Sequence, residues 1–297
     1  MHVTLMHVMS LVPVASLLIT LLAPPAAVEG AAHVARRKPV RFKRAYDTNV
    51  RAFSPDGSIY QVEYAGKAVD KGSLTVGVQC KGGVVLAAHK KERSCLVVPK
   101  SVSKLSGVAR HACVAMSGLI PDGRMLVDHA RAMTIQHWFE FGELAGIESI
   151  ASAIASTALS FNGYRREDED NDKSLARPVG VALLLGGWDH TGPTLYHVQP
   201  SGSFTRWRAK AIGKKSDVAE AKIESLDLDY DDAELNEAIT LVLQVFLHVL
   251  GEKDFDANSI EVMTLDAIPQ TELMVAGGET EFRVVPPEEL QKLWPQA

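Results

Sequence analysis

The chain has 297 residues, 46% hydrophobic and 23% charged, with a formal net charge of −5. This is ordinary globular composition, enough for one large domain or two small ones, and the acidic balance without a Lys/Arg stripe excludes a nucleic-acid footprint. Cys80, Cys95 and Cys113 form no Cys-x-x-Cys pair, so they read as reduced thiols in a reducing compartment, not as a disulfide frame or a metal site.

Residues 1–40 differ in character from the rest of the chain. "MSLVPVASLLITLLAPPAA" is a continuous apolar run, succeeded by the basic "ARRKPVRFKR". It has the outline of a signal peptide. However, its first residues carry His2 and His7 without Lys or Arg, Pro13 breaks the run, and the run is short for a membrane span. We expect an N-terminal extension, signal-like or arising from a misjudged start, with the second preferred.

Phe53–Ser58, "FSPDGS", is a tight turn: Pro55 presets φ and Gly57 permits a positive φ. "YQVEYAGKAVDKG" then places Val62, Ala65 and Val69 on one helical face, with Gly72 as a stop. "SLTVGVQCKGGVVLAAHK" changes period and predicts two strands around Gly82-Gly83. "HACVAMSG" predicts a further strand. "LIPDGRMLVDHARAMTIQHWFEF" predicts a long helix with a stripe of Leu126, Ala130, Met133 and His137, and "GIESIASAIASTALSF" a second helix packed through small residues.

"NGYRREDEDNDKSLARP" reads as a solvated charged loop. "VGVALLLGGW" is a strand too apolar for an exposed face. "DHTGPTLYHVQPSGSFTRWRAKAIG" predicts a turn, a strand, a Pro-Ser-Gly turn and one more strand. "KKSDVAEAKIESL" and "DAELNEAITLVLQVFLHVL" predict two helices, the second with a stripe of Leu235, Ile239, Leu243 and Phe246. "NSIEVMTLDA" is a strand, and "FRVVPPEELQKLW" a strand and a short helix opened by proline. Strand runs alternating with helix pairs argue against simple βαβ winding. They predict an α/β (α+β) fold, a four-layer α-β-β-α sandwich.

The familiar chemical signatures are missing. No Gly-x-Gly-x-x-Gly follows a strand, no phosphate-binding loop or His-Glu-x-x-His occurs, and "AMSGL" lacks the leading glycine of a serine-hydrolase elbow. We expect no cofactor and no metal. What remains is Ser73, which follows Gly72 at the start of a strand, and Lys104 in "SVSKL". Such a fold can use an N-terminal Ser or Thr as nucleophile, with its own amine as base and a nearby lysine lowering its pKa.

"AYDTNVRAFSPDGSIYQVEYAGKAVDKGSLTVGV" resembles the N-terminal signature of proteasome α-type subunits. "SVSKL", "AMSGLIPDGRMLVDHAR", "RPVGVALLLGGWD", "PSGSF" and "KAIG" follow in that family's order and spacing, from about Tyr46 to the end of the chain. "QHWFEFGE", the acidic loop and "RFKRAYD" are most similar to the α type-5 branch. The resemblance implies the N-terminal nucleophile hydrolase type of sandwich over residues 73–297, preceded by a gate segment and a cleft-capping helix over residues 41–72.

The resemblance also implies roles. In catalytic β-type subunits, cleavage after the glycine exposes a threonine, and an aspartate in a "GAD" strand pairs with the catalytic lysine. Here the two slots hold Ser73 and His89, the latter in "LAAHK", and an imidazole does not hold a lysine as a fixed carboxylate does. The implied chain is therefore non-catalytic, the alternative being an active hydrolase cleaved at Gly72-Ser73. Tyr46, Asp47, Pro55 and Tyr64 match a cluster that holds the N-terminal tails open at a gate, and Thr48 stands where the family usually has arginine. Lys104, Gly72 and Leu119 match a pocket between α subunits that binds the C-terminal tails of activators. The implied partners are other α subunits in a heteroheptameric ring, the β ring, and the regulatory particle or other activators. No nucleic acid and no membrane are implied. The implied setting is ubiquitin-dependent protein catabolism in cytoplasm and nucleus.

Overall fold

The structure, a computed structural model, describes residues 46–47, 49–50, 52–90, 96–98, 101–160, 175–251, 255, 257–266 and 282–293. The expectations for residues 1–40, Thr48, Cys95 and the acidic stretch over residues 161–174 lie outside the described residues. Tyr46–Ala297 forms one compact unit, and the elements below all belong to it.

Helix α1, Tyr60–Asp70, leads into the hairpin of β1 (Thr75–Cys80) and β2 (Gly83–His89). β3 (Leu105–Ala109) and β4 (Ala112–Gly118) form a second hairpin, followed by α2 (Ile120–Phe141) and α3 (Ile147–Leu159). β5 (Val181–Asp189), β6 (Gly192–Val198), β7 (Phe204–Trp207) and β8 (Ala209–Ile212) come next. The chain then forms α4 (Ser216–Ser225), α5 (Leu235–Leu250), β9 (Ile260–Asp266), β10 (Phe282–Val285) and α6 (Pro287–Lys292).

The strands make two five-stranded sheets, in the orders β10-β9-β2-β1-β8 and β3-β4-β5-β6-β7, all antiparallel. Three apolar clusters define the layers. The first joins β1, β2 and β9 to Ile239, Leu243 and Phe246 of α5. The second joins β4 and β5 to Leu126, Ile150 and Ile154 of α2 and α3. The third lies between the sheets, around Leu86, Leu184 and Leu195, and takes in Val69 of α1. The expected four-layer sandwich is therefore present, with α1 set against its inter-sheet core. Because both faces of each sheet are covered, β2 and β5 are buried almost throughout, which is why they read as unbroken apolar runs and not as alternating strands.

Three details differ from the sequence reading. The single strand expected after the Pro-Ser-Gly turn is two: β7 pairs with β6 in one sheet, and β8 pairs with β1 in the other. Only Arg208 separates them, and its carbonyl still accepts the Gln79 amide at 2.7 Å. β3 is not among the predicted strands. It is short, with only Leu105 and Val108 buried and Ser106 and Gly107 between them, so its apolar content is too small to stand out. On α2 the buried stripe runs through Leu126, Ala130 and Thr134, while Met133 and His137 are half-buried. Thr134 is tolerated there because its hydroxyl donates to the Arg131 carbonyl at 2.8 Å.

Cys80 and Cys113 are buried free thiols. Burial pushes the Cys113 thiol up to about 12, which makes it an inert packing group. Among the described residues no helix is long and apolar enough to cross a membrane.

Phe246 is fully buried where α5 meets the first sheet. Phe246→Ala is expected to lower the unfolding free energy by about 3–5 kcal/mol in denaturant titration. Val284→Ala, at a side chain 52% exposed, should stay within about 0.5 kcal/mol.

Candidate functional site

The mouth of the sandwich is built where α1 turns into β1. Gly72 closes the helix, its amide donating to the Val69 carbonyl at 2.8 Å, and its own carbonyl accepts the Lys214 amide at 2.8 Å. A Cβ on Gly72 would lie 2.5 Å from the Gly118 nitrogen and 2.9 Å from the Val69 oxygen, so the close passage of the two backbones requires glycine.

That passage fixes Ser73. Its carbonyl accepts a hydrogen bond from Ser117 Oγ at 3.1 Å, and its Oγ donates to the carbonyl of His89 at 2.5 Å. The β3–β4 hairpin then delivers Lys104: the Met116 amide donates to the Lys104 carbonyl at 3.0 Å, and Lys104 Nζ hydrogen-bonds Ser73 Oγ. The residues expected at this site, Gly72, Ser73, Lys104 and Leu119, are thus brought together. Leu119 precedes α2, 46% exposed, with its amide donating to the Gly180 carbonyl at 2.9 Å.

The direction of these bonds matters. The Ser73 hydroxyl proton points at the His89 carbonyl, and the Lys104 ammonium donates to the serine oxygen. A serine nucleophile needs the reverse, with its proton passed to a basic partner. At the His89 position it is the main-chain oxygen that engages Ser73.

The sequence reading found no acid for Lys104; the structure supplies one nearby. Glu261 on β9 is paired in register with Ala88 of β2. Its Oε1 accepts from Ser103 Oγ at 2.8 Å and lies 3.4 Å from Lys90 Nζ, and its Oε2 accepts the Lys104 amide at 3.2 Å. Its side chain is 10% exposed. Among the described residues no carboxylate forms an ion pair with Lys104 Nζ. Burial therefore lowers the Lys104 amine from 10.5 to about 8, opposed in part by the negative charge of Glu261. The signal for Glu261 was only a polar residue in an apolar strand, which sequence alone reads as a surface position.

Of the expected gate residues, Tyr64 lies on α1, Asp47 is bonded to it, and Pro55 lies in the turn before the helix. The turn before it is closed by the Gly57 amide donating to the Ser54 carbonyl at 2.9 Å, with Gly57 at φ +79° and Pro55 exposed at the tip. Tyr64 Oη donates to Asp47 Oδ1 at 2.6 Å. Gln61, which the sequence reading missed, donates from Nε2 to the Asp47 carbonyl at 2.5 Å. Its signal was the helical spacing, one turn before Tyr64 on the same face. Tyr60 stacks on Tyr64 at 6.3 Å between ring centroids, and Lys67 Nζ sits 5.4 Å above the Tyr64 ring. Tyr46 is half-buried, and among the described residues no hydrogen bond ties it or Pro55 to the Asp47–Tyr64 pair.

Among the described residues no group of three or more His, Cys, Asp or Glu is placed to hold a metal ion.

These geometries can be read in titrations. The phenol of Tyr64 is raised above 10.0 chiefly by its hydrogen bond to Asp47. In a spectrophotometric titration Asp47→Asn should return one tyrosine toward 10, and an unchanged curve would show that the bond does not form. The folded chain holds the Lys104 proton less tightly than the unfolded chain. Unfolding therefore takes up a proton between about pH 8 and 10.5, and this residue's penalty on stability is relieved as pH rises through that window. Lys104→Met should raise the unfolding free energy near pH 7 by about 1–3 kcal/mol and flatten the pH dependence.

Residues 69–265 match the proteasome subunit family model, and residues 46–68 match the model of the N-terminal signature of A-type proteasome subunits. The chain is 40% identical over 220 residues to the proteasome alpha type-5 subunit of Drosophila melanogaster, covering 74% of this chain and 88% of that protein. It is 37% identical over 249 residues to the protein of the same name in Caenorhabditis elegans, covering 84% and 96%. Against the probable proteasome alpha type-5 subunit of Schizosaccharomyces pombe the identity is 41% over 223 residues, covering 75% and 87%. The α-type signature thus falls on α1 and the turn before it, the family model falls on the sandwich, and this chain belongs to the proteasome α-subunit family.

Proposed function

We propose that this chain is a non-catalytic structural and gating subunit of the α ring of the 20S core. It sits in a heteroheptameric ring stacked on a β ring and works in ubiquitin-dependent protein catabolism in the cytoplasm and nucleus. Its contributions are scaffold, a gate anchored on Tyr46, Asp47, Pro55 and Tyr64, and a pocket of Gly72, Lys104 and Leu119 for the C-terminal tails of activators. The observation that carries the pocket is the Lys104 ammonium, half-buried and hydrogen-bonded to a neutral hydroxyl in place of a carboxylate. A half-buried cation with no carboxylate bonded to it among the described residues favours an incoming anion, and a chain-terminal carboxylate supplies one in charge-assisted hydrogen-bonding geometry.

The non-catalytic part of the reading is supported by the orientation of the Ser73 hydroxyl toward the His89 carbonyl. One observation favours the rival, an N-terminal nucleophile hydrolase cleaved at Gly72-Ser73: the contact between Lys104 Nζ and Ser73 Oγ. Intact mass and N-terminal sequencing of the native particle separate the two. A chain that begins at Ser73 means a hydrolase, and one that retains α1 means a gate subunit.

The pocket is tested with a short peptide ending in a free carboxylate, titrated against the assembled particle. Amidating its terminus and the Lys104→Met variant should each weaken binding by about 10–100-fold. Because Lys104 loses its charge as pH rises through about 8, wild-type affinity should fall about tenfold between pH 7 and pH 9. Equal binding of the acid and amide peptides removes the pocket.

A further inference from the structure

Lys104 does not hold its place alone. The Lys104 amide and the Ser103 hydroxyl both end on the Glu261 carboxylate, which comes from a strand 157 residues further along the chain. The same carboxylate takes Lys90 at 3.4 Å in a pair whose side chains are 15% and 10% exposed. One buried negative charge is therefore divided between an ammonium at the end of β2 and the backbone that carries Lys104.

Resting on the tail-pocket reading above, we infer that Glu261 is the positioning residue of that pocket: it anchors the Lys104 backbone and supplies the negative charge that keeps the Lys104 side chain cationic, while Lys90 competes for that charge. The arrangement has a physical logic. A carboxylate bonded directly to Lys104 Nζ would occupy the place an incoming anion needs. A carboxylate bonded to the Lys104 amide sustains the charge at one remove and leaves the ammonium available. Lys90 draws on the same carboxylate through Oε1, so the field felt at Lys104 is the difference between the two.

Other described charged groups lie on the flanking elements. His89 precedes Lys90, and its carbonyl is the acceptor for Ser73. On α2, Arg131 donates to the Gly107 carbonyl at 2.7 Å and pairs with Asp128 at 2.9 Å. Lys71 caps α1 and Lys214 follows β8, its amide held by the Gly72 carbonyl. Of the described charged groups around the lysine, Glu261 is the one whose field acts on its amine, and it acts to raise it.

The test reads Lys104 directly in the assembled particle. Its acylation by an amine-reactive ester is followed against pH, with mass spectrometry of the Lys104 peptide. Glu261→Gln keeps the shape and the acceptor oxygen and removes the charge. It should move the midpoint of the reactivity profile down by about 0.5–1 pH unit. Lys90→Met frees the carboxylate and removes a neighbouring cation, and should move the midpoint up by a similar amount. Opposite shifts from the two variants support the assignment, and it does not depend on both variants assembling, since either shift alone has a required sign. An unmoved midpoint, or a shift of the wrong sign in either variant that assembles, overturns it. If neither assembles, Glu261→Asp decides: it keeps the charge but draws it back by one methylene, so the midpoint should fall by a smaller amount, and an unmoved or raised midpoint overturns the assignment.

Carboxylate-peptide binding by the same variants keeps the two readings apart. In a Lys104→Arg background, where the cation cannot be titrated away, Glu261→Gln should leave the pH dependence of peptide binding flat. If the reactivity shifts occur but no peptide binds even to wild type, Glu261 positions Lys104 and the tail pocket is wrong. If peptide binds through Lys104 but the midpoints do not move, the pocket stands and the role of Glu261 falls.

Discussion

Everything at the mouth of this sandwich depends on how closely the backbone of Gly72 passes the backbone of Gly118. Gly118 ends β4 in one sheet, and Gly72 leads into β1 of the other. Their approach, with no room for a Cβ, sets the separation of the sheets at this end. It also brings Ser117 within reach of the Ser73 carbonyl. α1 is the segment immediately upstream, so the same contact fixes where the helix begins its path across the inter-sheet core. Tyr64 on α1 and the lysine just before β3 are thus tied to one backbone crossing.

Most of the architecture was legible in the sequence because the forces that build it are local. The Gly82-Gly83 hairpin, the stripe of α5 and the small-residue face of α3 each announce themselves through turn chemistry or period. What was not legible depends on partners far along the chain. The division of "TRWRAKAI" between two sheets follows from pairing with β6 on one side and β1 on the other, which no window of eight residues contains. The buried stripe of α2 shifts to Thr134 because a hydroxyl satisfied by its own helix packs as an apolar group.

The site divides in the same way. Ser73 and Lys104 stood out from the residues themselves, Gly72 and Leu119 joined them as a pocket through resemblance, and the strand pairings bring them together. Glu261 was missed, since its meaning comes only from the register of β2 against β9. Gln61 was missed for a smaller reason, a polar side chain on the exposed side of an amphipathic helix being indistinguishable in sequence from a solvated one. Among the described residues the Lys104 ammonium bonds a hydroxyl and no carboxylate directly, and that is a property of burial and register, which the sequence does not report.

The crossing at Arg208 has a mechanical consequence. Two stacked sheets held only by side-chain packing can slide past one another, as layers in a laminate do. Here a single residue joins the edge strand of one to the edge strand of the other, and its carbonyl is still clamped by the Gln79 amide. Shear between the layers is therefore resisted by the main chain itself. At that edge the sandwich behaves as one rigid plate, and displacement is left to the opposite side, where β3 and β10 are edge strands and the Phe282 ring of β10 reaches Gly107 of β3 through side-chain contact.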